Sequence, residues 1–207
     1  METLKPADNC WVRAPHQWEN QGCVAVSNHN DTLGGPLNKK GGGVFVLEWD
    51  PDNAYIRSWV FTPHKKIPEN LKQAMATADE KDHSLRVEPD STAWGLPFAY
   101  FPIGPFYGCH VDHFKKQRLI LNLAFCGAVS GNLFFNDCPS IAVNFVNKTI
   151  GAPSKFCELY MRTNPKEVNE QAYWKINGIY VWERALAPKH KKRLGDMLIF
   201  GPRGLPW

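Results

Sequence analysis

Two short runs, Val44-Phe45-Val46-Leu47-Glu48-Trp49 and Tyr55-Ile56-Arg57-Ser58-Trp59-Val60-Phe61, constrain the fold of this chain more than any other feature. Successive strand side chains point to opposite faces, so Tyr55, Arg57, Trp59 and Phe61 share one face. The first run follows three glycines and stops at Asp50-Pro51, and only Pro51 to Ala54 separate it from the second. That spacing predicts a β-hairpin. Gly41-Gly42-Gly43 leads into a strand, not a helix, and so lacks the N-terminal dipole that a phosphate cradle needs.

Further strand candidates follow. Arg118 to Cys126 is apolar on both faces apart from Asn122, which suits a central strand between two layers. From Ala172 to Trp182 the residues Trp174, Ile176, Tyr180 and Trp182 alternate with Tyr173, Lys175, Asn177, Ile179 and Val181. Ile67 to Met75 opens with a proline in its first turn and reads as a short helix. Residues 1–42 read as a loop-rich lead-in, and residues 77–93 as polar loop. Aromatic and β-branched strands separated by Pro/Gly loops give an all-β chain, a sandwich with long loops and little helix, in one domain over residues 1–182. Residues 183–207, with Lys189-His190-Lys191-Lys192-Arg193, read as a basic, flexible tail.

The formal charge of +4 is too small and too dispersed to imply a nucleic-acid footprint outside the basic tail, and 43% apolar residues supply a core. No apolar run reaches the ~20 residues of a bilayer span, and Met1 to Cys10 lacks the features of a secretory signal. Six cysteines, Cys10, Cys23, Cys109, Cys126, Cys138 and Cys157, nevertheless suit an oxidising compartment, as do the glycosylation acceptors Asn30 and Asn147. Cys10 and Cys23 read as a staple of the lead-in. The remaining pairing is open, and a cytosolic chain with buried thiols is the alternative.

Several segments, taken in order, resemble one family. They are Gly41 to Trp49, Tyr55 to Phe61, Ser91-Thr92-Ala93-Trp94-Gly95-Leu96-Pro97, Cys109-His110-Val111-Asp112-His113-Phe114, Leu119 to Gly131, and Ala172-Tyr173-Trp174-Lys175-Ile176-Asn177. Together they resemble the C-terminal half of fungal-type, laminarinase-like endo-1,3(4)-β-glucanases of glycoside hydrolase family 16, over about Cys10 to Trp182. The resemblance implies a concanavalin-like β-jelly-roll, incomplete in this chain, with β-glucan polysaccharide or oligosaccharide as partner and an extracellular location. It implies no cofactor, metal, nucleic-acid or membrane partner. Exposed sheet edges of a partial sandwich imply self-association.

The family's retaining mechanism uses two carboxyl groups about 5 to 5.5 Å apart, drawn from a strand reading Glu-x-Asp-x-x-Glu. That motif is absent here. The nearest match, Glu48-Trp49-Asp50-Pro51-Asp52-Asn53, ends in Asn and is broken by Pro51, so Glu48 and Asp50 read as surface carboxylates at a hairpin mouth and no catalytic residue is assigned. The family's catalytic strand lies upstream of everything matched, so the chain is expected to be a truncated or inactive form.

Candidate sugar contacts carried by the resemblance are Asn122, Trp59, Arg57 and Trp94, with core packing the competing role for each Trp. The family's Cys-Gly-Asp-Trp-Ala-Gly loop stands here as Cys126-Gly127-Ala128-Val129-Ser130-Gly131, which replaces a carboxylate and a stacking ring. On a strand, Cys109 and His113 would not converge with His110 and Asp112 on a metal. Cys126 in an apolar strand would be an inert thiol.

Overall fold

The computed structural model describes residues 8–62, 65–144, 151–183 and 196–201. They fall into two units, Met1–Lys115 with Ile176–Trp207, and Lys116–Lys175.

The first unit is built on a five-stranded antiparallel sheet in the order β3-β2-β1-β5-β4. Its hairpin is the predicted one: β1 (Val44–Asp50) runs against β2 (Tyr55–Phe61), pairing Val44 with Phe61, Val46 with Trp59 and Glu48 with Arg57. The Asp50 carboxylate closes the connection by accepting from the backbone N–H of Asp52 and Asn53 and from Asn53 Nδ2, at 2.8 to 3.1 Å. Gly43 is needed at the start of β1 because a Cβ there would lie 2.9 Å from the Phe61 carbonyl oxygen.

β3 (Ala99–Pro102) extends the sheet beyond β2, while β5 (Asp196–Gly201) lies between β1 and β4 (Gly178–Glu183). Two expectations are corrected here. Residues 196–201, read as part of a flexible tail, form an inner strand. The strand expected from Ala172 begins only at Gly178, and the stretch before it is irregular with Tyr173, Trp174 and Ile176 exposed. Alternation marks a two-faced segment, but a strand also needs a neighbour's backbone to pair with. Lys189 to Arg193 and Asn147 lie outside the described residues.

The apolar half of one sheet face is roofed by α2 (Glu69–Thr77), which follows α1 (Gly34–Lys39) in the chain, and by the segment around Trp94. Val44, Val46, Trp59, Phe61, Ile67, Leu71, Trp94 and Tyr180 form this core. The Trp94 ring meets Trp59 and Phe61 edge-on at 5.4 and 5.9 Å. At about 25 cal/mol per Å2, burial of this aromatic surface stabilises the unit.

The second unit is helical: α3 (Phe134–Asp137), α4 (Pro139–Ala142), α5 (Pro153–Thr163) and α6 (Pro165–Gln171). Phe134, Ala142, Phe156 and Cys157 make its core, with Phe135 packed 4.9 Å from Phe156. The central strand expected for Arg118 to Cys126 is not formed; Leu119, Ile120, Leu121, Leu123 and Phe125 are exposed. No strand within the unit offers a ladder among the described residues, so an apolar pattern alone does not make a strand. Cys126 is not a free thiol but is bonded to Cys157.

Candidate functional site

Beyond the roofed core, the same sheet face continues into a polar and aromatic row. Register places Tyr100 of β3 opposite Arg57, Arg57 opposite Glu48, Glu48 opposite Met197 of β5, and Met197 opposite Trp182 of β4. Glu48 is buried, contrary to its reading as a surface carboxylate, and so is Asp50. The reason is local: both sit on the inward positions of β1, two and four residues beyond Val46.

Glu48 is held from two sides. Its Oε2 accepts from Arg57 Nε at 2.6 Å and from the Ser91 hydroxyl at 3.0 Å, while Arg57 Nη2 donates to the same hydroxyl at 2.9 Å. Ser91 stands first in a short 3-10 turn, Ser91–Ala93, whose amide is capped by Asp90. The Arg57 guanidinium lies 4.6 Å from the Tyr55 ring centroid and 5.0 Å from that of Trp59. Burial works against the Arg57 charge, but the hydrogen bond and charge of Glu48 outweigh it and hold the guanidinium above its ordinary value. Burial first, and Glu48 second, push the Tyr55 phenol upward as well.

The face is therefore a cationic planar donor between flat rings. Tyr55 and Tyr100 stand 5.7 Å apart, Tyr100 is exposed, and Trp182 stacks on Tyr180 at 5.6 Å. Arg57 Nη1 has no hydrogen-bond partner among the described residues. Such a surface offers stacking area and N–H donors to a neutral polyhydroxylated ligand.

The sequence candidates divide accordingly. Arg57, Trp59 and Trp94 come together on this face, but Trp59 and Trp94 are 1% and 3% exposed and spend their rings on core packing; their N–H groups donate to Gly95 and Asn70. Asn122 lies in the other unit, exposed, with its carbonyl accepting from Trp174 Nε1 at 3.0 Å. Ser91, Tyr100 and Trp182 were not singled out as site residues. The alternation of Tyr100 with Ala99 and Phe101 carries the only local signal for Tyr100, and the Asp-Ser-Thr cap signature carries that for Ser91.

Residues 3–182 match the family described as the XgeA-like, catalytic GH16 domain. The chain is 35% identical over 182 residues to an endo-1,3(4)-beta-glucanase of Arthroderma benhamiae, covering 87% of this chain and 33% of that protein. The chain belongs to glycoside hydrolase family 16.

A probable glycosidase of Schizosaccharomyces pombe is 31% identical over 176 residues, 84% of this chain and 34% of its own. The endo-1,3(4)-beta-glucanase of Emericella nidulans is 30% identical over 164 residues, 78% and 22%. The chain thus spans about a third or less of these relatives. No solved structure matches it.

Set against the Glu-x-Asp-x-x-Glu strand of family 16, the acidic pairs here have other occupations. Glu48 and Asp50 are the buried groups already described. Glu80-Lys81-Asp82 and Glu88-Pro89-Asp90 begin the same pattern but meet Leu85 and Ala93 where a second Glu is required. Asp82 and Asp90 instead cap turns, accepting from Ser84 and Thr92.

In the Cys126–Gly131 loop the chain folds tightly, Gly131 N–H donating to Gly127 at 2.8 Å, and presents Val129 to solvent. Disulfides join Cys10 to Cys23 and Cys126 to Cys157, and Cys109 and Cys138 are free thiols. His110 Nδ1 and Asp112 Oδ2 are 3.1 Å apart, and no group of three or more His, Cys, Asp or Glu among the described residues is placed to hold a metal. No helix among the described residues is long and apolar enough to cross a membrane.

Proposed function

We propose that this chain is a β-glucan-directed member of family 16 that does not hydrolyse its ligand. The observation that carries the reading is the occupation of Glu48: its carboxylate is buried and shared by Arg57 and Ser91, and its sequence partner at the fifth position is Asn53. That engagement, with Asn53 where a second Glu would stand, leaves this segment without the pair of carboxyl groups that retaining hydrolysis uses. The jelly-roll sandwich of the family and an extracellular location go with this reading, supported by the antiparallel sheet and two disulfides.

The test is an assay of reducing ends released from laminarin and mixed-linkage β-glucan. No turnover by the chain is expected. Turnover that the Glu48→Gln variant abolishes overturns the proposal.

The surviving function is lectin-like binding, favoured by the row of Tyr100, Arg57 and Trp182 on the sheet. β-Glucan oligomers then quench tryptophan fluorescence saturably, and an unchanged signal at millimolar sugar rejects it. Self-association through the β4 edge is proposed from Ile179 and Val181, both exposed. Sedimentation at two concentrations reads it.

A further inference from the structure

Two exposed indoles lie off the sheet, in the loop closed by the Cys10–Cys23 disulfide. Trp11 is 59% exposed and Trp18 47% exposed, in a residue type that is highly buried on average. Neither indole N–H has a partner among the described residues, although both backbones are fully engaged.

The loop is built to hold them still. Trp11 heads one turn, its carbonyl accepting from Ala14 N–H at 3.0 Å, and Trp18 heads another, accepting from Gln21 N–H at 3.0 Å. Between them Pro15 and His16, the latter at φ 70°, make the middle of a type II turn from Ala14 to Gln17. The outer turns are tied together by Asn20 N–H donating to the Val12 carbonyl at 2.7 Å. Gln17 locks the ends: Nε2 donates to the carbonyls of Asn9 and Gly22, and Oε1 accepts from Asn9 N–H, all at 2.7 to 2.9 Å. The disulfide across 13 positions removes unfolded freedom on the order of 3 kcal/mol.

A rigid loop that keeps two indoles in water spends stability without a return in packing, unless the rings meet a ligand. Residues 8–23 carry Arg13 against Asp8 and Glu19, so 1 − 2 leaves −1, and the loop offers no cluster of cations to a polyanion or an anionic membrane. Flat rings with free N–H donors and the side-chain amides of Asn9 and Asn20 nearby in sequence suit a neutral polysaccharide.

We infer that Trp11 and Trp18 form a second β-glucan contact, distinct from the Arg57 row; the inference rests on the β-glucan reading above. Two ligand contacts on one unit favour a polymer over a short oligomer, because the second engagement is intramolecular.

The test is retention of the whole chain on insoluble β-1,3-glucan, with wild type, the W11A/W18A double variant and the W11Y/W18Y double variant. Wild type is expected to bind, W11A/W18A to lose about tenfold or more in apparent affinity, and W11Y/W18Y to stay within about threefold, because a phenol still stacks. Wild-type binding that W11A/W18A leaves unchanged overturns this inference and leaves the β-glucan reading standing. Absence of wild-type binding overturns both. Tryptophan-dependent capture by phosphatidylcholine vesicles, with none by glucan, reassigns the loop to membranes and also overturns it.

Discussion

The Glu48 carboxylate and the Arg57 guanidinium face each other across the β1–β2 ladder with 2.6 Å between Oε2 and Nε, and the Ser91 hydroxyl bridges both. Their positions were readable from the hairpin alternation, but their partnership depends on register, and Ser91 arrives from 34 residues away.

Removing Arg57 strands a buried carboxylate. Arg57→Ala is expected to cost about 3 kcal/mol, and Glu48→Ala/Arg57→Ala less than the two single costs combined. Urea unfolding of the four proteins of the cycle measures the coupling; strictly additive losses would show that the pair is not a unit.

Ser91→Ala keeps the turn but deletes the bridge. An expected loss of about 1 to 2 kcal/mol reflects one donor and one acceptor left short. A Ser91→Thr variant, which retains the hydroxyl, should recover most of it in the same unfolding experiment.

Trp59 fills the core beneath the row. Trp59→Ala is expected to destabilise by about 3 to 5 kcal/mol, and Trp59→Phe by much less, through the void left against Trp94 and Val46. Near-ultraviolet dichroism should lose the coupled signal of the Trp59–Trp94 edge contact in both.

Asp90 contributes to the pH dependence. The Thr92 hydroxyl first and the Thr92 amide second draw its carboxyl below the usual aspartate value. A folded value under the unfolded one contributes stability that is present above about pH 4 and is lost as the pH falls through the folded value. The dichroism of Trp94, which directly follows the Ser91–Ala93 turn, should therefore report an acid change that is smaller in Asp90→Asn, which caps without titrating.

Cys126–Cys157 closes 31 positions within the helical unit. Replacing both by Ser is expected to cost that unit about 3 to 4 kcal/mol. Hydrogen exchange resolved by segment should show the loss in residues 116–175 and leave β1 to β3 protected; equal loss in both would contradict the division into units.

The hairpin, the helix after Ile67 and the lead-in staple were legible because each rests on a local cue: alternation, a proline at a helix start, two cysteines in a polar loop. Arg118 to Cys126 misled because an apolar period specifies a buried strand only where a neighbour supplies hydrogen bonds. α5 and α6 went unread although Pro153 and Pro165 each stand at a helix start. The candidate site was half legible. Arg57 was found, but the burial that makes Trp59 and Trp94 structural and leaves Tyr100 outside is set by α2 and by register, which no single segment encodes.

The sheet order has a consequence for biosynthesis. β1, β2 and β3 emerge from the ribosome in sequence and pair at once, whereas β4 has no hydrogen-bonded neighbour until β5 has been made. Until residue 201 is translated, the nascent chain carries the bare edge of β1 alongside an unpaired β4, and that is the interval in which a holdase chaperone has most to protect.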